Sequence, residues 1–298
     1  MQPMRKKSHK LWARLLAILT ALLVAAGAGV ALAYPSLGST FCPGCYGLTE
    51  LEESVHTEDG LSGAQQERVR QTVRQAHRLV HDFYGTRRSS PAVLACLTER
   101  CYERIGGGKE RGIAVLNRSV MLSPRGIDPV IAAHEMSHVE LHTRLTSGAE
   151  VPQWFDEGLA VVVADDPRYL APKTAADRCL VTPSGPLPAT LDEWLNTASK
   201  DVTTYAKSAC QVSRWLAAND GRTGLLALID DLNAGHPFPL SRAPGLTPPA
   251  TVGGLARARS RVDGARQRLE RSRTAETGFG NGVATRQGEE IKWFPGRK

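Results

Sequence analysis

A chain of 298 residues, 42% hydrophobic and 22% charged, is long enough to bury a substantial core and to carry one catalytic domain with extensions. Its formal net charge of +7 is concentrated: Arg5, Lys6, Lys7, Lys10 and Arg14 crowd one end, and seven arginines lie between Arg257 and Arg273. Neither cluster interleaves with aromatics, so the composition argues against a nucleic-acid partner.

Residues 1–34 read as a targeting segment. A basic head precedes 19 uncharged residues from Leu15 to Ala33, which is long enough to span a bilayer. The run also ends in Ala31-Leu32-Ala33, which has the small residues of a cleavage site. Signal peptide and uncleaved transmembrane anchor both remain open. Either way the basic head stays inside and the body is expected in the cell envelope: anchored to the inner membrane and facing the periplasm or exterior, or secreted. The six cysteines agree, since an even count in an exported chain favours disulfides. The spacings suggest Cys42 with Cys45, Cys96 with Cys101 and, by elimination, Cys179 with Cys210.

Residues 35–60 hold Pro35, Gly38, Pro43, Gly44, Gly47 and Gly60 with no apolar period, so they read as a linker around a stapled Cys42-Pro43-Gly44-Cys45 turn. Ser62 then caps a helix in which Val69, Val73, Ala76, Val80 and Phe83 recur at helical spacing, ending at Gly85. His77 and His81 lie on it at i, i+4, but no carboxylate or cysteine accompanies them as a metal site would require. Pro91–Leu97, Gly112–Leu116 and Val120–Leu122 read as short strands. Asp128 and Pro129 supply an N-cap and a first-turn proline for a helix running to about Arg144. A second helix starts near Pro152. After a Pro-rich stretch, helices are expected at Leu191–Ala198, Thr204–Ala218 and Thr223–Leu232. Beyond Pro237 the chain becomes Pro-, Gly- and Arg-rich, and residues 233–298 read as a flexible tail.

The stretch that carries chemistry is His134-Glu135-Met136-Ser137-His138. On a helix, positions i and i+4 lie one above the other, so both imidazoles can reach one metal ion. Glu135 then faces the ion's open side, where it can accept a proton from water. A catalytic zinc takes three protein ligands and keeps the fourth position open. His142 continues the series but stands roughly 12 Å along the axis from His134, too far to share one ion on a straight helix. The third ligand must come from another element. Glu157 stands 19 residues after His138, inside Trp154-Phe155-Asp156-Glu157-Gly158-Leu159-Ala160. That apolar setting buries a charge, and a buried charge needs a partner.

These residues resemble the gluzincin zinc metallopeptidases, both the aminopeptidase N-like family and the smaller bacterial peptidase MA-like domains. The resemblance rests on the two histidines, the 18 intervening residues and Glu157, and it covers residues 60–232. Tyr205-Ala206-Lys207-Ser208 is similar to that family's Tyr-x-Lys-Gly, with Ser208 in place of glycine. The resemblance implies an α+β, zincin-like catalytic domain over 61–232, with a small N-terminal sheet and a mostly helical C-terminal half. It implies His134, His138 and Glu157 as ligands of one Zn2+, Glu135 as general base and Tyr205 as donor to the oxyanion. The expected substrate is a peptide or protein, and an edge strand from 112–116 or 119–122 would pair with it. The amine-capturing Gly-x-Met-Glu-Asn of the aminopeptidases is absent: Glu110 follows a glycine run, with neither Met nor Asn in register. The rival reading is a non-catalytic envelope module that uses a metal for stability in binding or assembly. A metal-dependent hydrolase of a non-peptide bond is a further alternative.

Overall fold

The apolar runs expected as strands do pair, and the expected linker joins them. The computed structural model describes residues 33–239 apart from Ser147, together with residues 12, 14–20 and 29. The chain is α+β. A helix α1 (Pro35–Phe41) and a 3-10 turn (Pro43–Tyr46) lead into β1 (Leu48–Glu52) and β2 (Val55–Glu58). Next come α2 (Gly63–Tyr84), β3 (Ala92–Ala95), α3 (Glu99–Arg104), β4 (Gly112–Val115) and β5 (Ser119–Leu122). The remaining helices are α4 (Pro129–Arg144), α5 (Gln153–Ala164), α6 (Leu191–Ala198), α7 (Thr204–Ala218) and α8 (Arg222–Asn233).

The sheet order is β1-β2-β3-β5-β4. The central pairs β2–β3 and β3–β5 are parallel, and each outer strand is antiparallel to its neighbour. Strands β4 and β5 are buried at every position, which is why they read as continuous apolar runs rather than alternating ones. The hairpin β1–β2 escapes a periodicity reading for the opposite reason. Its sequences, LTELE and VHTE, are polar, and in β2 only Val55 and Thr57 point inward. Pairing with β3, not local preference, makes β2 a strand. The 35–60 linker expectation is therefore corrected: α1, the turn and the hairpin are structured. Ser39 Oγ donates to the Ile105 carbonyl, and Thr40 bonds the Ser119 hydroxyl across 2.7 Å. Helix α3 also escaped notice, since six residues are too few to show a period; Thr98 caps it.

The long helices follow their local signals. Ser62 and Gln65 form a reciprocal capping box on α2, whose Val69, Val73, Ala76, Val80 and Tyr84 are buried, and Gly85 ends it at φ 78°. On α4, the Asp128 side chain accepts from the Val130 and Ile131 amides, with Pro129 in the first turn. Residues 131–141 of α4 are all buried, so this helix lies inside the core, packed by the sheet, α2 and α5. Gly158 lets α5 and α7 meet closely, since a Cβ there would stand 2.5 Å from the Ser208 carbonyl oxygen. The helices expected at 191–198 and 204–218 have those bounds, and α8 exceeds its expectation by one residue at each end.

Three disulfides join Cys42–Cys45, Cys96–Cys101 and Cys179–Cys210, as the spacings suggested. They indicate an oxidising, non-cytoplasmic location. No helix among the described residues is long and apolar enough to cross a membrane. Most of the 1–34 segment expected to target or anchor the chain lies outside the described residues, as does the tail beyond 239. The start of that tail is packed: the Phe238 ring lies 4.9 Å from that of Phe155 and 6.1 Å from that of Trp154.

Candidate metal centre

Two helices bring the sequence-predicted ligands together. The i, i+4 spacing on α4 sets the His134 and His138 rings 4.9 Å apart. Helix α5 supplies Glu157, whose Oε2 lies 3.3 Å from His134 Nε2 and 3.7 Å from His138 Nε2. Its other oxygen accepts from Gln153 Nε2 at 3.1 Å, which turns Oε2 toward the imidazoles. Ligand atoms from the three residues all lie within 4.8 Å of one another. Two ligands about 2.05 Å from a tetrahedral ion stand about 3.3 Å apart, so the cluster is close to that size.

The donor set fits a cation on two further counts. His134 Nε2, His138 Nε2 and Glu157 Oε2 are buried without a hydrogen-bond partner of ordinary geometry, a costly state unless something else satisfies them. The carboxyl groups of Glu135, Asp156 and Glu157 are also all buried around two imidazoles. Burial pushes the Glu135 carboxyl up to about 8; His138 and the Ala114 amide oppose that, while Glu157 and Glu110 add to it. Burial opposes a charge on His138, but Asp156, Glu157 and Glu135 outweigh it and lift its pKa to about 10. The Glu135 shift comes first from burial and the His138 shift from the carboxylates around it; a cation held by the cluster would take the place of the proton on His138. His134, Glu157 and their neighbours can thus hold a metal ion.

Glu135 lies beside His134 and His138 on α4, fully buried, with neither carboxylate oxygen in an ordinary hydrogen bond. Strand β4 walls it: a Cβ on Gly112 would stand 2.8 Å from Glu135 Cγ. Tyr205, in the first turn of α7, places its ring 6.3 Å from that of His134. It is wedged between Tyr169, stacked at 5.2 Å, and Trp194, edge-on at 4.7 Å. The Cys179–Cys210 bridge ties α7 to the loop that carries Tyr169. All five sequence-predicted site residues therefore meet at one place.

Sequence reasoning missed three participants. Asp156 accepts from His138 Nδ1 and from His142 Nε2, each at 2.7 Å. With a metal bound, the first bond would hold His138 in the tautomer whose Nε2 lone pair faces the cluster. Burial raises the Asp156 carboxyl, but His138 and His142 outweigh it and hold it below its ordinary range. A second acid inside the apolar run from Trp154 was the signal, because a buried charge needs a partner. His142, set aside as a ligand, is that partner. Glu110 is buried near Glu135 and is held by the Gly108 amide at 2.7 Å and the Tyr102 hydroxyl at 3.3 Å.

His77 and His81 gain no metal partners: among the described residues the His134, His138 and Glu157 group is the one with metal-holding geometry. Burial and Arg87 push His77 down to about 4. Compared with known proteins, the chain matches no family model, no curated protein and no solved structure.

Proposed function

We propose that this protein is a zinc metallopeptidase acting outside the cytoplasm, with His134, His138 and Glu157 holding one Zn2+ and Glu135 serving as general base. One observation carries the reading: three unpartnered ligand atoms converge within 4.8 Å beside the buried Glu135 carboxyl. Two imidazoles and a carboxylate are a donor set suited to zinc. The gluzincin resemblance of the His134–Glu157 spacing points the same way.

When bound, zinc would supply Lewis acidity that acidifies a water and polarises a carbonyl. The protein's own groups do the rest. Glu135 takes the water's proton onto a carboxylate oxygen and later delivers it to the leaving amine nitrogen. Tyr205 donates its hydroxyl hydrogen to the oxygen on which charge develops. Asp156 keeps His138 oriented, and Gln153 does the same for Glu157. The walls from β4, Tyr169 and Trp194 exclude bulk water, which strengthens each of these interactions.

The burial of the whole cluster favours one rival, a metal-stabilised envelope module without catalysis. A closed structural site takes four protein ligands, whereas three gather here, and Glu135 would be superfluous to it. Zinc content and chelator-sensitive hydrolysis of casein or mixed peptides, in the parent and in Glu135→Gln, separate the two. The proposal expects Glu135→Gln to retain zinc and lose about 10²- to 10⁴-fold in rate. Hydrolysis by that variant at the parent rate, or a zinc-loaded parent that cleaves no peptide, sinks it.

A further inference from the structure

His134, His138 and His142 place an imidazole at every fourth position of α4, and the proposed zinc site employs two of them. The third stands one turn past His138, beyond reach of the same ion. It nevertheless touches the site through one carboxylate. Asp156 Oδ1 accepts from His138 Nδ1 and Oδ2 accepts from His142 Nε2, both at 2.7 Å. The His138 side chain is fully buried, Asp156 is 3% exposed and His142 is 17% exposed, so His142 is the member of this chain that reaches the surface.

We infer that His142 is a positioning residue for the metal centre: by holding the second oxygen of Asp156, it fixes the carboxylate that orients His138 and so sets how tightly zinc is bound. The inference rests on His138 being a ligand, but not on any peptide being cleaved.

A buried Asp bonded through one oxygen can still turn about its last torsion, which is broad and twofold. Bonded through both oxygens, to groups on a neighbouring helix, it cannot. His142 and His138 lie on α4 and Asp156 on α5, so the paired bonds also lock these two helices in register at the level of the ligands. Glu157 is the next residue along α5. A turn of Asp156 would therefore tilt His138 Nε2 away from Glu157 Oε2, the atom it faces at 3.7 Å. Without His142, Asp156 Oδ2 becomes a buried anionic oxygen with a donor removed, and it must turn or admit water to recover one. Removing Asp156 itself, the outer partner of the ligand histidine, would cost about 10- to 100-fold in metal affinity, and loosening it costs a part of that.

Two variants separate donation from filling. His142→Gln keeps an N–H donor at the end of a side chain of similar reach. His142→Leu fills the space and donates nothing. The measurement is the Zn2+ dissociation constant by competition with a chromophoric chelator, alongside the melting temperature of each metal-free protein. The expected result is about 10-fold weaker binding in His142→Leu, the low end of what losing a direct outer partner costs, with most of the loss recovered in His142→Gln. Parent-like affinity in His142→Leu overturns the inference, and so does His142→Gln as weak as His142→Leu. Should His142→Leu fail to fold, His142→Gln decides alone, since a 10-fold loss there contradicts the donor role. A parent that binds no Zn2+ overturns this inference and the proposed ligation together. A parent that binds Zn2+ but cleaves no peptide sinks the peptidase reading alone, and the affinity order still decides the role of His142.

Discussion

Adding one methyl group at Gly112 tests the place of Glu135 without touching its chemistry. Gly112 opens β4 and pairs with Leu122, and its φ lies outside the left-handed region, so alanine meets no backbone strain. The new Cβ would stand 2.8 Å from Glu135 Cγ and 3.1 Å from Oε1. Carbon atoms rest about 3.5–4.0 Å apart, so the Glu135 side chain or the strand must give by about 1 Å. A misplacement of that size costs about 10²-fold in rate, or about 2.7 kcal/mol of transition-state stabilisation. Overpacking should also lower stability by about 1–3 kcal/mol. The assay is kcat/KM on a peptide substrate, with zinc content and a melting curve on the same preparation. The expected variant, Gly112→Ala, folds, keeps its zinc and loses about 10²-fold in kcat/KM. Parent-like kcat/KM with full zinc would refute the placing of Glu135 as the base.

Tyr205→Phe removes the proposed oxyanion donor and leaves the ring between Tyr169 and Trp194; kcat should fall by about 10²- to 10³-fold with zinc retained, and an unchanged kcat removes Tyr205 from the mechanism. Glu140 sits behind the site, where burial raises its pKa but bonds from the Ser89 hydroxyl, the Arg88 and Ser89 amides and the Arg144 guanidinium outweigh it and hold it below its ordinary value. A depressed carboxyl gives stability that is full above its unfolded pKa, about 4.3, and is lost as pH falls through the folded value. Urea denaturation of Glu140→Gln should show about 3–5 kcal/mol less stability near neutrality, because Arg144 is left buried, and a shallower loss below pH 4.3. Equal stability of parent and variant across that range would remove the ion pair from the account.

Much of the site was legible in the sequence because helix geometry is local. The spacing of His134 and His138 determines where their rings go, and the same arithmetic excludes His142 as a ligand. Asp128-Pro129 and Ser62 with Gln65 announce their helices by capping chemistry that acts within one turn. The hairpin β1–β2 was not legible, since polar β2 becomes a strand by pairing with β3, distant along the chain, and β1 by pairing with β2. Asp156 was overlooked for a related reason. Its role is defined by two side chains on another helix, and nothing in its own neighbourhood names them. The resemblance that led to Glu157 shows where a carboxylate stands along the chain. Only the folded chain shows that Gln153 turns one of its oxygens toward the histidines.

His134, His138 and Glu157 are expected to hold one zinc ion. A crystal of the zinc-loaded protein, with anomalous data collected on either side of the zinc edge, tests it most directly. One peak is expected about 2.0–2.2 Å from His134 Nε2, His138 Nε2 and a Glu157 oxygen, with Glu135 near but not bound. No peak there in a zinc-loaded crystal, or a zinc held by a different set of residues, would contradict it.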